Sequence, residues 1–340
     1  MKKLPVEEAV GQTLCHDMTA ILPDGTKGPL FRRGQVITEA DVAKMKDIGK
    51  YHVFVWDPEA DEFHEEDAAR ELVEAMLGGG LTASAPSEGK IQINAAVRGL
   101  FRLNREALRQ INLVEDYTVA TRPSFTPVEA GEKLCGARIV PLVTKRRNVD
   151  EAVRIARENW PVMEVLPYRP LKAGVVITGS EVYYGRIEDR FEPVMRDKLG
   201  KYGAELLGFT KCPDELDRIL AATEAFLKRD ADLILLTGGM SVDPDDLTPT
   251  AIRRTGAELI AAGIPMQPGN MLHIARLGKC TLFGVPGASL HSPVTSLDLF
   301  LPRLFAGLEL TKEDAADLGE GGFCLGCKPC HYPNCTFGRS

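Results

Sequence analysis

The regular part of the chain begins at Leu171, where short runs of apolar residues start to alternate with stretches whose apolar positions recur every three or four residues. AGVVIT, ELLGFTK, ADLILLT, ELIAAGI and KCTLFGVP predict strands. RFEPVMRDKLGKYG, DELDRILAATEAFLKRD, DLTPTAIRRTG and SLHSPVTSLDLFLPRLF predict helices. Strands that are apolar throughout are buried on both faces, and regular alternation with helices supplies the cover. Residues 166–309 are therefore expected to form an α/β domain with a doubly wound, mostly parallel sheet.

The pattern upstream is less regular. In residues 1–60, short strands flank the turn signal Asp24-Gly25, Thr38 caps a helix that runs to Gly49, and YHVFVW reads as a strand. The charged stretch DPEADEFHEED reads as a boundary or an exposed helix start. Residues 61–165 combine the helices AARELVEAML, NREALRQIN and NVDEAVRIARE with the β-rich stretches GKIQINAAVRGLFRL, YTVATRP and ARIVPLVT. Two smaller segments, mixed α+β and β-rich, thus precede the α/β domain, and residues 310–340 form a cysteine-rich tail.

Composition narrows the function classes. At 340 residues, with 44% hydrophobic and 26% charged positions, the chain is of globular type and long enough for more than one core. A net charge of −7 argues against a nucleic-acid partner, which needs concentrated basic surface. The basic cluster Lys145, Arg146 and Arg147 reads as a solvated loop or a patch for an anionic ligand. No apolar run approaches a membrane span, and no apolar stretch follows Lys2 and Lys3 as a secretory signal requires, so a cytoplasmic location is expected. There, eight cysteines are not a disulfide framework. The scattered Cys15, Cys135, Cys212 and Cys280 read as small buried hydrophobes.

Three predicted strands run into loops suited to chemistry: Thr178-Gly179-Ser180-Glu181, Thr237-Gly238-Gly239-Met240-Ser241 with Asp243 to Asp246 beyond it, and Pro286-Gly287-Ala288-Ser289. In a parallel sheet such loops leave the same rim, beside helix N-termini. Glycines let backbone N–H groups approach a phosphate, and serine hydroxyls add donors. Acidic side chains beside a phosphate imply a bridging hard cation, so Glu181, Asp245 and Asp246 suggest Mg²⁺ or a similar divalent ion.

TGSEV at 178–182, TGGMSVDPDDLTP at 237–249, PMQPGNM at 265–271 and GVPGAS at 284–289 resemble the molybdopterin-binding domain shared by the MoeA, MogA and gephyrin families and by the CinA family. EEAVGQTLCHDMT and RRGQVITEADVAKMKDIGKYHVFVW resemble the opening of the MoeA branch more weakly. The resemblance implies molybdopterin or adenylylated molybdopterin as ligand, held by Thr178, Gly179, Ser180, Thr237, Gly238, Gly239, Ser241, Asp245, Pro268, Gly269, Pro286, Gly287 and Ser289. In the insertase branch it further implies Mg²⁺-assisted ligation of molybdate with release of AMP, the catalytic acids mapping onto Glu181 and Asp246. Homo-oligomers are common in these families.

The loops depart from the family pattern at four places. Ser180 stands where an aspartate is usual, Gln267 and Asn270 where lysines are usual, and Ala288-Ser289 where Asn-Pro is usual. Two readings are open: a molybdopterin molybdenumtransferase, or a non-catalytic carrier, sensor or chaperone that serves a molybdenum or tungsten enzyme. A CinA-like nucleotide hydrolase is a third.

The tail reads FCLGCKPCHYPNC, placing Cys324, Cys327, Cys330 and Cys335 in a C-x2-C-x2-C-x4-C spacing. Four thiolates so close in sequence can enclose zinc or an iron–sulfur cluster, with a docking or redox-sensing role; the alternative is a reactive or disordered tail. His331 is a bystander in this reading.

Overall fold

The computed structural model describes residues 2–21, 27–55, 61–241, 243–244 and 246–339. The Asp24-Gly25 turn and Asp245 lie outside the described residues. The chain forms two compact units: residues 1–97, 102–122 and 129–165 make the first, and residues 98–101, 123–128 and 166–340 the second.

In the first unit, the helix Glu39–Asp47 begins at Thr38, whose backbone N–H and hydroxyl both donate to the Asp41 carboxylate, at 3.0 and 2.7 Å. The strand His52–Val55 pairs antiparallel with Lys2–Pro5. Strands Leu81–Ala83, Ile91–Ala95, Lys133–Ile139 and Tyr117–Thr121 form a four-stranded antiparallel sheet in that spatial order. The strand Ile91–Ala95 alternates buried and half-buried positions, as a sheet covered on one face should. The helices Glu65–Met76, Arg105–Leu113 and Arg146–Glu158 match those expected from the apolar periodicity.

The second unit is built on six strands: β1 (Lys172–Thr178), β2 (Glu205–Cys212), β3 (Leu233–Thr237), β4 (Glu258–Ala262), β5 (His273–Leu277) and β6 (Cys280–Val285). Their spatial order is β2-β1-β3-β6-β5-β4. The first four in that order are mutually parallel, whereas β5 runs antiparallel to both β6 and β4. The helices are α1 (Ser180–Tyr183), α2 (Phe191–Gly200), α3 (Leu216–Lys228), α4 (Thr248–Arg254), α5 (Leu297–Phe305) and α6 (Lys312–Ala316).

Alternate residues of the central strands feed two cores. Val175, Ile177, Leu233, Leu235, Phe283 and Val285 pack with Met195 and Leu199 of α2 and Leu297, Phe300 and Leu301 of α5. Val176, Ile234, Leu236 and Leu282 pack with Ile219 and Phe226 of α3 and Ile252 of α4. Both faces are covered, which is the doubly wound α/β arrangement the sequence predicts. Gly174 admits α3, since a Cβ there would stand 2.4 Å from the Phe226 ring.

The apolar pattern does not reveal β5. Its segment MLHIARL lies next to a proline-rich loop and carries no clear strand or helix period. It pairs with β6 through a tight turn in which Gly278 adopts φ +58°.

Candidate functional site

Strand register places the expected loops together. Ile177 of β1 is level with Thr237 of β3, and Thr237 is level with Val285 of β6. The segments 178–183, 237–241, 246–248 and 285–290 therefore leave one edge of the sheet, on adjacent strands spaced by about 4.8 Å. Ala262 of β4 is level with His273 of β5, and His273 with Gly284. The antiparallel turn between β4 and β5 thus brings Pro268 and Gly269 to the same edge.

Several expected ligand residues serve first as internal ties. Thr178 and Thr237 are buried. The Thr178 hydroxyl donates to the Thr237 carbonyl at 3.1 Å, and the Thr248 hydroxyl donates to the Gly238 carbonyl at 2.8 Å. Gly238, at φ +85°, lies so close to β1 that a Cβ would be 2.2 Å from the Thr178 carbonyl oxygen. Gly239 follows at φ +51°. Two consecutive left-handed residues explain the Gly-Gly pair. Met240 then turns inward beneath β6, where a Cβ on Gly284 would meet its methyl at 2.7 Å.

The first loop is closed by Asp214, a residue whose sequence position suggests only a helix start. Asp214 accepts the Ser180 N–H at 2.7 Å, and its own N–H donates to the Ser180 hydroxyl at 3.2 Å. Ser180 is thereby engaged from both sides. Glu181 is exposed, with a carboxylate oxygen 3.1 Å from where a Gly179 Cβ would sit. Beyond it, Tyr183 and Tyr184 form an exposed edge-to-face pair with ring centroids 5.1 Å apart, and Arg186 lies over the Tyr184 ring at 5.8 Å. Two adjacent tyrosines in a polar loop were the available signal for this surface.

In the second loop Asp246 accepts the Ser241 N–H at 2.6 Å through Oδ2. Its other oxygen faces Gly239, 3.6 Å from a Cβ position there. In the third loop Pro286 is buried and Gly287 is exposed, with open space where its Cβ would be. Ser289 is 2% exposed, its hydroxyl 3.2 Å from that of Thr295. Thr295 belongs to a buried charged group: Lys198 Nζ lies 2.6 Å from Asp298 Oδ1, and the Thr295 N–H donates to Asp298 Oδ2 at 2.8 Å. In the fourth loop the carbonyl of Gly269, at φ +107°, accepts from the Ser296 hydroxyl at 2.6 Å.

Among the described residues, no three His, Cys, Asp or Glu side chains stand together as a metal-binding group. Glu181 and Asp246 therefore do not make a cation cage by themselves. The four tail cysteines line one cavity of about 460 Å³ instead of converging on a point. Cys324 and Cys335 pack against the core, while Cys327 and Cys330 are exposed. The scattered four are buried as expected, and loss of solvation raises the Cys15 and Cys212 thiols to about 11 and the Cys135 and Cys280 thiols to about 12. No helix among the described residues is long and apolar enough to cross a membrane.

Comparison with known proteins bears on the second unit most directly. Residues 174–306 match the family described as "Probable molybdopterin binding domain", and residues 3–57 match a domain of unknown function. A CinA-like protein of Mycobacterium marinum is 40% identical over 90 residues, which is 26% of this chain and 21% of that protein. One of Mycobacterium tuberculosis is 39% identical over the same length. The match spans about a fifth of the length of these curated relatives. The tungsten cofactor synthesizing protein MoaB from Pyrococcus furiosus is 20% identical, with a TM-score of 0.33, covering 40% of this chain and 92% of that one. The molybdopterin biosynthesis moea protein from Pyrococcus horikosii covers 90% of this chain and 74% of its own at 14% identity and a TM-score of 0.35. Structural likeness at these scores is too weak to assign a function.

Proposed function

We propose that the rim loops of the second unit bind molybdopterin or adenylylated molybdopterin, and that the chain acts in molybdenum cofactor biosynthesis by supporting divalent-cation-dependent molybdate insertion. The observation that carries this reading is the level exit of four loops from one sheet edge, inside the stretch that matches the molybdopterin-binding family. Left-handed glycines at 238 and 239 present backbone without side chains, and the exposed tyrosine pair offers a face for a flat ring. Thr178, Thr237 and Ser289, being buried, act by shaping the loops. Ser180, Ser241, Asp245, Pro268 and Gly287 are the proposed contact set, with the buried Gly179 and Pro286 shaping the loops beside them.

A Mg²⁺ ion commonly takes one or two protein carboxylates and completes its shell with water and substrate phosphate oxygens. Glu181 and the second oxygen of Asp246 fit that requirement without a preformed cage. When bound, the cation would neutralise charge on the phosphate and on molybdate. The protein's part is to orient both carboxylates, through the Ser241 N–H at Asp246 and the α1 turn at Glu181. A cytoplasmic homo-oligomer serving a molybdenum or tungsten enzyme is the setting this reading implies.

A second reading, cofactor carriage without turnover, is favoured by the fourth loop. It has Gln267 and Asn270 in place of cations, and the tail holds Gln267 by its backbone on both sides, through its N–H to the Gly322 carbonyl and its carbonyl from the Cys324 N–H, each 2.8 Å. One experiment separates the readings: calorimetric binding of both ligand forms, followed by assay of AMP release on adding Mg²⁺ and molybdate. Asp246→Asn keeps an acceptor for the Ser241 N–H but removes the charge, so insertase chemistry predicts retained binding and lost AMP release. Binding without release in the wild type makes the chain a carrier. Absence of binding to either form removes both.

A further inference from the structure

We infer that the tail is a tetrathiolate metal site, with Cys324, Cys327, Cys330 and Cys335 binding one thiophilic centre, either a zinc ion or an iron–sulfur cluster. The inference is independent of what the rim loops bind. It stands on how the tail is held. The excursion from Gly321 to Gly338 is closed at its base, where the Gly338 N–H donates to the Gly321 carbonyl at 2.9 Å. Gly338 packs so tightly on Leu299 that a Cβ would come within 1.8 Å of it, and Phe337 is 3% exposed. The Tyr332 hydroxyl donates to the Asp298 carbonyl at 3.3 Å, and the parallel bridge between Gln267 and Phe323 fixes the other arm. This segment is docked on the unit at several points, yet it carries exposed cysteines.

Within that frame the chain makes two turns that suit thiolate ligation. At Cys324-Leu325-Gly326-Cys327, Gly326 is left-handed at φ +67°, and its N–H donates to Cys324 Sγ at 3.5 Å. A backbone N–H aimed at a cysteine sulfur stabilises the thiolate and tunes a bound metal. A second turn, closed by the Asn334 N–H to the His331 carbonyl at 2.7 Å, separates Cys330 from Cys335. All four cysteines consequently line the same cavity of about 460 Å³, closed on its other side by Pro268 and the segment His291–Val294. The sulfurs do not stand together in the metal-free structure, so ligation requires them to converge within this cavity, and a metal supplies the attraction. Zinc binding converts four thiols to thiolates and releases four protons to solvent.

The test uses the full chain purified without oxygen and reduced. One arm titrates Zn²⁺ against a chromophoric chelator and substitutes Co²⁺ as a spectroscopic reporter. The other supplies mixed ferrous and ferric iron with sulfide, so that cluster assembly needs no further oxidant. The expected result is one centre per chain, with sulfur-to-metal charge-transfer absorption, metal–sulfur distances of about 2.3 Å by X-ray absorption in the zinc form, and a raised unfolding temperature. Cys327→Ser/Cys330→Ser, at two exposed positions, should fold normally by circular dichroism and weaken binding at least roughly 100-fold. His331→Ala should bind as wild type. Tight zinc with no cluster identifies zinc as the occupant, and a stable cluster identifies iron–sulfur. If neither arm gives thiolate-ligated metal, or the double variant binds undiminished, the inference is overturned.

Discussion

Substituting Gly238 by alanine tests the stitched rim most directly. The residue sits at φ +85°, where an L side chain costs about 1–2 kcal/mol in backbone strain. The added Cβ would lie 2.2 Å from the Thr178 carbonyl oxygen and 2.7 Å from its hydroxyl. Backbone must therefore move, which puts at risk the Thr178 hydroxyl bond to Thr237 and the Thr248 hydroxyl bond to Gly238, each contributing about 1 kcal/mol. Together these effects come to about 3–4 kcal/mol. For a unit of this size that lowers the melting temperature by roughly 10 °C. Gly287→Ala is the control, since nothing lies within 4 Å of its Cβ position. It should leave stability within about 0.5 kcal/mol. Thermal unfolding by circular dichroism, with hydrogen exchange at β1 and β3, reads both variants. If Gly238→Ala melts within about 2 °C of the wild type, or Gly287→Ala is equally damaging, the rim is not held by these ties.

Further outcomes are expected from other parts of the molecule. Lys198→Met leaves Asp298 buried without its cation and should cost about 3–5 kcal/mol, measured by urea unfolding; a loss below about 1 kcal/mol would mean the pair is dispensable. Burial raises the Glu65 carboxyl to about 7, outweighing the lowering by Arg138 and Arg33 and joined by repulsion from Glu66 and Asp17. The protonated form is favoured in the folded state, so this contribution is complete below about 4.5 and disappears as pH rises through about 7. Glu65→Gln should therefore flatten the melting temperature of the first unit between about pH 5 and pH 8, and an unchanged slope would refute the assignment. A thiol reagent applied to native, metal-free protein should modify Cys327 and Cys330 quickly and spare Cys15, Cys135, Cys212 and Cys280 until unfolding; rapid labelling of any of those four, mapped by mass spectrometry, contradicts their burial.

The parts legible in the sequence were those with a strong local period. The largely apolar runs at 233–237 and 280–285 announced central strands, and the periodicity at 216–228 announced α3. β5 was not legible because His273 and Arg276 interrupt its apolar pattern, and its place comes from pairing with β6. Helix α5 is shorter than its pattern implied, beginning at Leu297 after a 3₁₀ turn at Gly287–Leu290. At the rim the glycines could be read and their purpose only in part. That Gly238 abuts Thr178, or that Asp214 closes the loop at Ser180, depends on residues dozens of positions apart, which no local pattern encodes.

The tie between Thr178, Gly238 and Thr248 has a consequence for how a ligand would be received. The bases of two rim loops are joined through buried hydroxyls, so Thr178, Thr237, Gly238 and Thr248 are held relative to one another before anything arrives. Binding there sacrifices little backbone freedom, and affinity can come from contacts alone. Any adjustment to the size of the guest must be made elsewhere on the rim, where Tyr183, Tyr184 and Gly287 stand exposed and can move without breaking a buried bond.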